Sequence, residues 1–475
     1  MSFDPQQELT KSAFGEVSVT SNFVITQVNA IYSQFRGTLT FIDESSSGST
    51  SIGDSKFILQ TGTAADGLAS VLTSRHLSHR SGQGSLARFS ALFDVPVADN
   101  RQAAGLINAE NAFAFGSFNA EFGIIYSHGG VVEAQELTIT TPASGAENAT
   151  ITLDDVPLTV PLTGATVEVN AYEIAESLNA QSMTHRSTSN GATVYVINVL
   201  SEPKGVYSFS SATAVAAFVQ KAAGLAPTIE FTPQSAWNQD VKADLITSNL
   251  NNYQIQFNGV IEFSIQDSET GDMVLVHRIN HTNTSTLPSV GNPTFRVGWL
   301  VQNKGNTTDT KVEGHFAAVF VEGLPGSDNP PRAITASVAA VGTTATSIAI
   351  IRNRTHFGDK INRVLTIMKF VSFATQANKP AFFELIINPV FGTPVDFEYL
   401  DKENSIIEVS LDNVTVTGGL IVGALTVESG NSVVLEVQPS VVTSIEANTV
   451  FCIASRVSSG AAGDMQATMT VQEDF

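Results

Sequence analysis

The chain has 475 residues, and its 24 Lys and Arg stand against 45 Asp and Glu, which gives a formal charge of -21. At ~150 residues per domain this length predicts two to four domains, and the acidic charge argues against a nucleic-acid partner, since phosphate backbones bind basic side chains. Charged residues make up 15% of the chain and hydrophobic residues 43%, and the polar remainder is mostly Ser, Thr, Asn and Gln, a balance typical of β proteins.

The amino-terminal segment predicts a cytoplasmic product. Met1–Glu16 has neither the basic region nor the apolar core of a secretory signal. No stretch approaches the ~18 apolar residues that a membrane helix requires. We therefore expect synthesis in the cytoplasm and no membrane insertion.

The most unusual stretch is Arg75–Pro96, RHLSHRSGQGSLARFSALFDVP, which gathers arginines and histidines in an acidic chain. It lacks the Gly-Lys-Ser/Thr ending and the helix of a phosphate loop, and it continues as an alternating, strand-like segment. His76 and His79 are spaced as two metal ligands on a helical face, but no second His or Cys pair completes a site. The sequence favours a turn with a basic edge that leads into a strand, over a ligand site.

Residues 134–226 break the alternating pattern and predict a small α/β module. Strand-like pieces such as QELTITT and GATVYVIN surround two segments with helical periodicity. In NAYEIAESLNAQ, Asn170 is the predicted cap with Glu173 reaching back, and one apolar face is formed by Ala171, Ile174, Ala175 and Leu178. In FSSATAVAAFVQKAAGLAP, the spacing of Val215, Phe218, Val219 and Ala222 predicts a second helix, ended by Gly224.

The rest of the chain alternates with period two and predicts two antiparallel β-sandwiches of jelly-roll type. The segment AFAFGSFNAEFGIIYS before the module and YQIQFNGVIEFSIQD after it are expected to be partners, and the latter forms a hairpin or one bent strand at Asn258-Gly259. The predicted division is an amino-terminal sandwich of residues 1–133 and 227–325, an inserted module of 134–226, a linker of 326–332 within the Pro-rich GLPGSDNPPRA, and a carboxy-terminal sandwich of 333–475.

No constellation of catalytic or metal-binding residues stands out in the sequence. Asp267, Glu269 and Asp272 in QDSETGDM resemble a calcium loop, but the flanking strands favour a hairpin tip. Cys452 has apolar neighbours and is predicted to be a buried hydrophobe, and the 29 phenylalanines are expected to fill cores. We predict no catalytic, cofactor-binding or metal-binding residues and no cofactor, while the receptor-binding residues are unknown.

Three stretches resemble virion proteins of tailed phages and large DNA viruses. HLSHRSGQGSLARFSALFDVPVADNRQAAGLINAENAFAFGSFNAEFGIIYSHGGVVE is similar to their Arg-x-Gly-Gln-Gly turn followed by apolar and Phe-Gly strands, and IEFSIQDSETGDMVLVHRINHTNTSTLPSVGNPTFRVGWLVQNKGNTTD resembles the later half of that domain. The module resembles a small unit of phage tail and fibre proteins, with Asp154-Asp155 in place of the usual hairpin glycine. FFELIINPVFGTPVDFEYLDKENSIIEVSLDNVTVTGG is similar to the terminal sandwich of the same group.

The resemblance implies a structural role in a virion, and we expect a fibre or tail-associated surface component that works by binding and not as an enzyme. The partners expected are other copies of the chain, as a trimer if it is fibre-like, other virion proteins and a host receptor, contacted through loops at Thr141–Ala149, Ser264–Asp272 and Ser285–Pro293. The alternative in the same class is a capsid or vertex component. The alternative in another class is a carbohydrate-binding or glycoside-cleaving β-sandwich with paired carboxylates in a groove.

Overall fold

The computed structural model describes residues 22–32, 34–35, 39–78, 83–164, 166–181, 185–198, 205–242, 249–257, 259–280, 290–291, 294–322, 329–357, 360–362, 364–375, 380–436, 445, 449–459 and 462–474. The first ten strands are β1 (Asn22–Asn29), β2 (Thr40–Ser45), β3 (Ser49–Gly53), β4 (Lys56–Gln60), β5 (Leu68–Thr73), β6 (Leu77–Ser78), β7 (Ser85–Phe93), β8 (Asn100–Ile107), β9 (Ala112–Phe118) and β10 (Glu121–His128). They are followed by β11 (Ala134–Thr141), β12 (Glu147–Leu153), β13 (Val156–Leu162), the helix α1 (Val167–Gln181), β14 (His185–Asn190), β15 (Thr193–Asn198), β16 (Ser208–Ser210) and β17 (Val215–Ala222).

The chain continues with β18 (Thr228–Pro233), a short 3-10 helix at Gln234–Ala236, β19 (Asn251–Phe257), β20 (Ile261–Gln266), β21 (Met273–Ile279), β22 (Thr294–Asn303), β23 (Lys311–Gly314) and β24 (Phe316–Glu322). The remaining strands are β25 (Arg332–Val341), β26 (Thr346–Asn353), β27 (His356–Phe357), β28 (Lys360–Ile361), β29 (Leu365–Thr375), β30 (Ala381–Ile387), β31 (Val390–Phe391), β32 (Glu398–Tyr399), β33 (Ile407–Ser410), β34 (Val416–Thr417), β35 (Leu420–Val427), β36 (Ser432–Glu436), β37 (Val450–Val457) and β38 (Gly463–Asp474). The protein is mainly β with antiparallel sheets, as the alternation predicts.

The first sandwich packs two large sheets against one aromatic core. Its nine-stranded sheet has the order β21-β20-β19-β7-β23-β4-β3, with β24 pairing both β7 and β1, and its eight-stranded sheet has the order β18-β10-β9-β8-β22-β5-β2, with β6 beside β22. The ring centroids of Phe115 and Tyr253, from opposite sheets, are 4.7 Å apart, and those of Phe57 and Trp299 are 5.3 Å apart. Most of the largest fully buried side chains are phenylalanines, which confirms their predicted role as core residues.

Several hairpins of this chain use two-residue turns without glycine. Asn119 and Ala120 between β9 and β10, and Asp154 and Asp155 between β12 and β13, all have positive φ angles, between 50° and 68°. Positive φ at both central residues defines the type I′ turn, whose twist suits antiparallel strands. The Asp-Asp pair therefore makes the turn at the position where the resembling module has glycine.

The strand partners around the module differ from the expectation. The strands of AFAFGSFNAEFGIIYS, β9 and β10, belong to the eight-stranded sheet, whereas YQIQFNGVIEFSIQD forms β19 and β20 in the nine-stranded sheet. The neighbour of β10 after the module is β18. The two segments therefore meet through side chains across the core, as with Phe115 and Tyr253, and not through main-chain pairing. The hairpin of β19 and β20 is present, and Asn258 at its turn lies outside the described residues.

The module packs α1 against a four-stranded sheet, β14-β15-β11-β17, and a three-stranded sheet, β13-β12-β16. The predicted apolar face of the helix is buried. The predicted cap is wrong: α1 begins at Val167, where the Thr166 Oγ1 accepts the Val169 N–H at 3.3 Å. Asn170 instead lies inside the first turns, fully buried.

The predicted second helix at 215–222 is also wrong, because this segment is the strand β17. It pairs with β11 along almost its whole length, with Leu137 opposite Phe218. Ala216 and Phe218 pack on the module core while Val215 and Val219 are exposed, so the alternation with period two prevails over the helical spacing. Helix propensity is a weak preference that sheet pairing overrides.

The carboxy-terminal sandwich packs a four-stranded sheet, β25-β38-β29-β36, against a six-stranded sheet, β32-β33-β26-β37-β30-β35. The outer face of the six-stranded sheet carries a second apolar cluster, in which Ile350 and Cys452 pack against Val395, Phe397 and residues near β34. Cys452 is buried, as predicted, and burial raises the pKa of its thiol.

The described residues form two compact units, one from Met1–Val131 and Ala226–Pro325 and one from Val132–Leu225 and Gly326–Phe475. The module and the carboxy-terminal sandwich thus belong to one unit. The four-part division drawn from the sequence stays a prediction. Of the linker region, residues 323–328 lie outside the described residues, and β25 begins at Arg332.

Candidate functional site

The described part of the basic stretch Arg75–Pro96 includes β6 and β7, and β7 pairs with β19, β23 and β24 near the middle of its sheet. The Arg296 Nε donates to the His76 Nε2 at 2.9 Å, and its Nη1 donates to the Thr73 carbonyl at 3.1 Å. The same guanidinium lies 4.3 Å from the centroid of the Phe41 ring. His76 therefore accepts a hydrogen bond from an arginine of the neighbouring strand. His79, its predicted companion, lies outside the described residues.

The loop at Asp267–Asp272 is the tip of the hairpin between β20 and β21, as the flanking strands predict. The Asp267 Oδ1 accepts the N–H groups of Glu269 and Thr270, each at 2.9 Å, and its Oδ2 accepts from the Lys242 Nζ at 2.8 Å. The lysine bond and the two backbone bonds hold the pKa of Asp267 well below its usual range. This carboxylate fixes the shape of the turn.

The loop between β11 and β12 comprises residues 142–146 and is anchored at two points. The Ala143 N–H donates to the Asn170 Oδ1 at 2.8 Å, and the Ser144 N–H donates to the Thr213 Oγ1 at 2.8 Å. At its end, Glu147 accepts from the Ser211 hydroxyl and from the Ala214 N–H at 3.0 Å, and the Ser211 bond is the main cause of its lowered pKa. The third predicted loop, Ser285–Pro293, lies outside the described residues except for Val290 and Gly291.

A buried polar cluster of the module has no counterpart among the predicted sites. The His185 Nε2 lies 3.3 Å from the Asp154 Oδ2 and 3.0 Å from the Tyr207 hydroxyl, and the Asn198 Nδ2 donates to the Asp154 Oδ2 at 2.8 Å. Burial, with the nearby Asp154, raises the pKa of Tyr207. The tyrosine stays protonated and links the β12–β13 turn to β14 and β15. The members lie far apart in sequence, so no spacing signals the cluster.

A second buried polar cluster joins the module to the carboxy-terminal sandwich within the same unit. The Arg352 Nε lies 2.6 Å from the Glu408 Oε2, and a guanidinium N–H of Arg352 donates to the Ser189 carbonyl. The Asn190 Nδ2 donates to the other carboxylate oxygen of Glu408 at 2.5 Å, and the guanidinium stacks 3.9 Å from the centroid of the Phe397 ring. Both charged side chains are 5% exposed or less, so the ion pair is shielded from solvent.

The two buried clusters join separate strands of the fold through hydrogen bonds and ion pairs. Within the described ranges, no group of three or more His, Cys, Asp or Glu is placed to hold a metal ion. The helix α1, the only α-helix in the described part of the chain, falls short of the length and hydropathy that a membrane-spanning helix needs. The backbone of both described loops is held by side chains, by Asp267 within the β20–β21 loop and by Asn170 and Thr213 at the β11–β12 loop.

No family model and no curated protein matches the chain. Among solved structures, the carbohydrate recognition domain of Emp47p aligns over 64% of this chain and 97% of its own at 6% identity and a TM-score of 0.26. The binding domain of botulinum neurotoxin serotype D/C aligns over 86% and 99% at 8% identity and a TM-score of 0.28. The infectious bursal disease virus VP2 subviral particle aligns over 84% and 83% at 10% identity and a TM-score of 0.12. At these scores the likenesses assign no function.

Proposed function

We propose that the chain is a structural protein of a virus particle, a fibre or tail-associated surface component that works by binding and not by catalysis. Its partners are further copies of itself, other proteins of the particle and a host receptor. Its cellular origin is the host cytoplasm and its final location is the virion.

The observation that carries the proposal is the fixed conformation of the two described loops that were predicted to dock. Asp267 holds one loop and Asn170 holds the other through hydrogen bonds to backbone N–H groups. A loop that is ordered before binding loses little conformational entropy when a partner docks. Stiff antiparallel sheets that carry such loops suit a building block of an assembly, and the sequence resemblance to virion proteins supports the same role.

The test is to locate the protein on purified particles from the source of the sequence. Antibodies against the full chain, or gold coupled to a carboxy-terminal tag, are imaged on intact particles by electron microscopy. We expect label at a tail or fibre. Its absence from the particle, checked by mass spectrometry of the particle proteins, would overturn the proposal.

The capsid or vertex alternative differs in copy number and position. A fibre or tail component occurs in few copies at one end of the particle, whereas a capsid component repeats over the shell. Quantitative mass spectrometry against a known capsid protein separates the two. Binding to an immobilised glycan array by the full chain, with no label on particles, would favour the carbohydrate-binding alternative.

A further inference from the structure

A short segment after β18 connects the edges of the two sheets in the first sandwich. Residues 234–242, which we call the strap, follow β18 at the edge of the eight-stranded sheet and bond β21 at the edge of the nine-stranded sheet. Trp237 of the strap is 5% exposed, and its ring centroid lies 6.0 Å from that of Phe115 and 6.3 Å from that of Phe122. The strap is therefore anchored in the aromatic core of the sandwich.

The strap supplies hydrogen bonds to the outer edge of β21. The N–H groups of Gln239 and Asp240 donate to the Val276 carbonyl at 3.1 and 3.2 Å. The Asn238 side chain bonds both main-chain groups of Arg278, since its Oδ1 accepts the N–H at 2.9 Å and its Nδ2 donates to the carbonyl at 2.8 Å. An edge strand that lacks such partners is a template on which another strand can pair. The strap therefore covers this edge of the nine-stranded sheet.

One hydrogen bond of the strap depends on the protonation state of a histidine. The Asn238 N–H donates to the His277 Nδ1 at 3.3 Å. A histidine ring nitrogen accepts a hydrogen bond only in the neutral imidazole, so the proton of this ring lies on Nε2. Protonation of Nδ1 would replace the acceptor with a donor that faces another donor. The charged form of His277 and this strap bond therefore exclude each other.

The surroundings of His277 also disfavour its charged form. The residue is 7% exposed, and its ring centroid lies 6.4 Å from that of Phe263 on the neighbouring strand β20. Burial lowers the pKa of His277 below its usual value of 6.5. The closed strap therefore binds a proton less tightly than an open one, in which the imidazole meets water.

The other charged groups around β21 are engaged with each other or with the backbone. The charged residues of the strap, of β20 and β21 and of the turn between these strands are Asp240, Lys242, Glu262, Asp267, Glu269, Asp272 and Arg278. The Arg278 Nη2 lies 2.7 Å from the Glu262 Oε1, and the Lys242 Nζ lies 2.8 Å from the Asp267 Oδ2. The Asp240 Oδ1 accepts the Lys242 N–H at 2.8 Å. Histidine is the residue type among them that ordinarily changes charge near neutral pH.

We propose that the strap is an acid-sensitive device, which stays bound to β21 while His277 is neutral and detaches when His277 takes up a proton. Detachment frees the Val276 carbonyl and the main-chain groups of Arg278, where a further strand can then pair. The inference goes beyond the proposed function and does not depend on it.

The direction of the pH dependence follows from the lowered pKa of His277. A group that binds its proton less tightly in the closed state stabilises that state above its usual pKa of 6.5. This contribution is lost as the pH falls from 6.5 toward the pKa of the closed state. One pH unit below its ordinary pKa, an exposed imidazole is protonated about ten to one, so opening should increase severalfold, with about tenfold as the upper limit.

The test is hydrogen exchange of the full chain, followed by mass spectrometry at about pH 7.5 and about pH 5.5, on either side of the usual histidine pKa of 6.5. The observed rates are divided by the intrinsic rates at each pH. We expect protection of peptides that cover residues 234–242 and Arg278 to fall severalfold in acid. Peptides from β8 and β9, in the interior of the eight-stranded sheet, should keep their protection.

His277→Gln is the informative variant, because its side-chain oxygen can accept the Asn238 N–H but cannot take up a charge. We expect it to lose the acid response of the strap. His315→Gln is the matched control, at a histidine of the same sandwich whose Nδ1 lies 2.6 Å from the Ser55 carbonyl oxygen. This variant should keep the acid response of the wild type.

A second measurement uses the wild type alone, in case His277→Gln folds poorly as judged by circular dichroism. The exchange rate of the imidazole C2 hydrogen of His277, measured against pH, gives the pKa of that ring. We expect a midpoint below 6.5. Equal protection of the strap at both pH values, an unchanged acid response in a folded His277→Gln, or a midpoint at or above 6.5 would each overturn the proposal.

Discussion

At the scale of single residues, the sequence predicts which aromatic side chains of the first sandwich are buried, but not which of them contact each other. Alternation in AFAFGSF and YQIQF marks Phe115 and Tyr253 as inward-facing. Alternation cannot say that they face each other from different sheets, because cross-core neighbours depend on how the sheets stack.

Phe115→Ala should lower the free energy of unfolding of the first sandwich by about 3 to 5 kcal/mol, since it leaves a cavity between two sheets. Its ring lies against Tyr253, Phe263 and Trp237. Urea unfolding followed by circular dichroism measures the change. Phe23→Ala, at a phenylalanine that is 37% exposed, should cost much less, and equal losses for both would contradict the core assignment.

Partial burial and a neighbouring carboxylate both oppose the ionisation of Asp396. Desolvation, and then the charge of the neighbouring Asp412, raise its pKa above the usual value of 3.8. A raised pKa means that the folded state holds the proton more tightly than the unfolded state. Its ionisation therefore reduces stability as the pH rises from below 3.8 through the folded-state pKa.

Asp396→Asn should raise the melting temperature at neutral pH and lose this advantage in acid, where the wild-type carboxyl is protonated. The gain should be only a few tenths of a kcal/mol, because solvent screens an exposed group. Thermal melts of both proteins across the acid range measure it. Glu269→Gln at the tip of the β20–β21 hairpin is the control, and a gain of the same size there would argue against the like-charge explanation.

At the scale of elements, the helix and strand patterns of the module gave one correct and one wrong assignment. The segment 167–181 has a helical apolar face and a core to bury it against. The segment 215–222 has a helical spacing too, but β11 needs a partner on its free side, and β17 supplies the hydrogen bonds. Local periodicity could not reveal that requirement, because the two strands are distant in sequence. The first residue of β11, Ala134, precedes the first residue of β17, Val215, by 81 residues.

Asn170 is the residue that most clearly ties an element of the module to a loop. It accepts the Ala143 N–H at 2.8 Å and donates to the Gly164 carbonyl at 3.2 Å. Asn170→Ala should cost about 1 to 3 kcal/mol, because buried backbone groups lose their partner. It should also speed hydrogen exchange in residues 142–146.

The comparison variant is Asn148→Ala, at an exposed asparagine of β12. Hydrogen exchange by mass spectrometry and urea unfolding are run on both. Unchanged protection of the loop in Asn170→Ala would show that the loop is held by other contacts, and it would weaken the proposed preordered docking surface.

At the scale of the whole molecule, a module that is inserted in the sequence of the first sandwich is packed in one unit with the last. Arg352 and Glu408 form a buried ion pair where the module packs against the carboxy-terminal sandwich. The two residues, and Ser189 and Asn190 that they bind, look like ordinary polar positions of separate strands in the sequence. Only the tertiary structure brings them together.

Arg352→Met should destabilise the second unit by about 3 to 5 kcal/mol, because it leaves Glu408 as an uncompensated buried charge. The double variant Arg352→Met with Glu408→Met should recover a large part of this loss, since two apolar side chains replace a buried pair. Urea unfolding of the two single variants and the double variant completes the cycle. Additive losses would show that the two charges do not interact.

The sequence by itself determined the β class, the sandwich architecture, the buried helix face, the burial of Cys452 and the hairpin at Asp267–Asp272, because each follows from periodicity or composition within a few residues. Tertiary structure alone decided the strand state of 215–222, the sheets to which β9 and β19 belong, the Asp154–His185–Tyr207 cluster and the joint between module and carboxy-terminal sandwich. These depend on groups that meet across long sequence separations, where the free energy of pairing and burial overrides local preference.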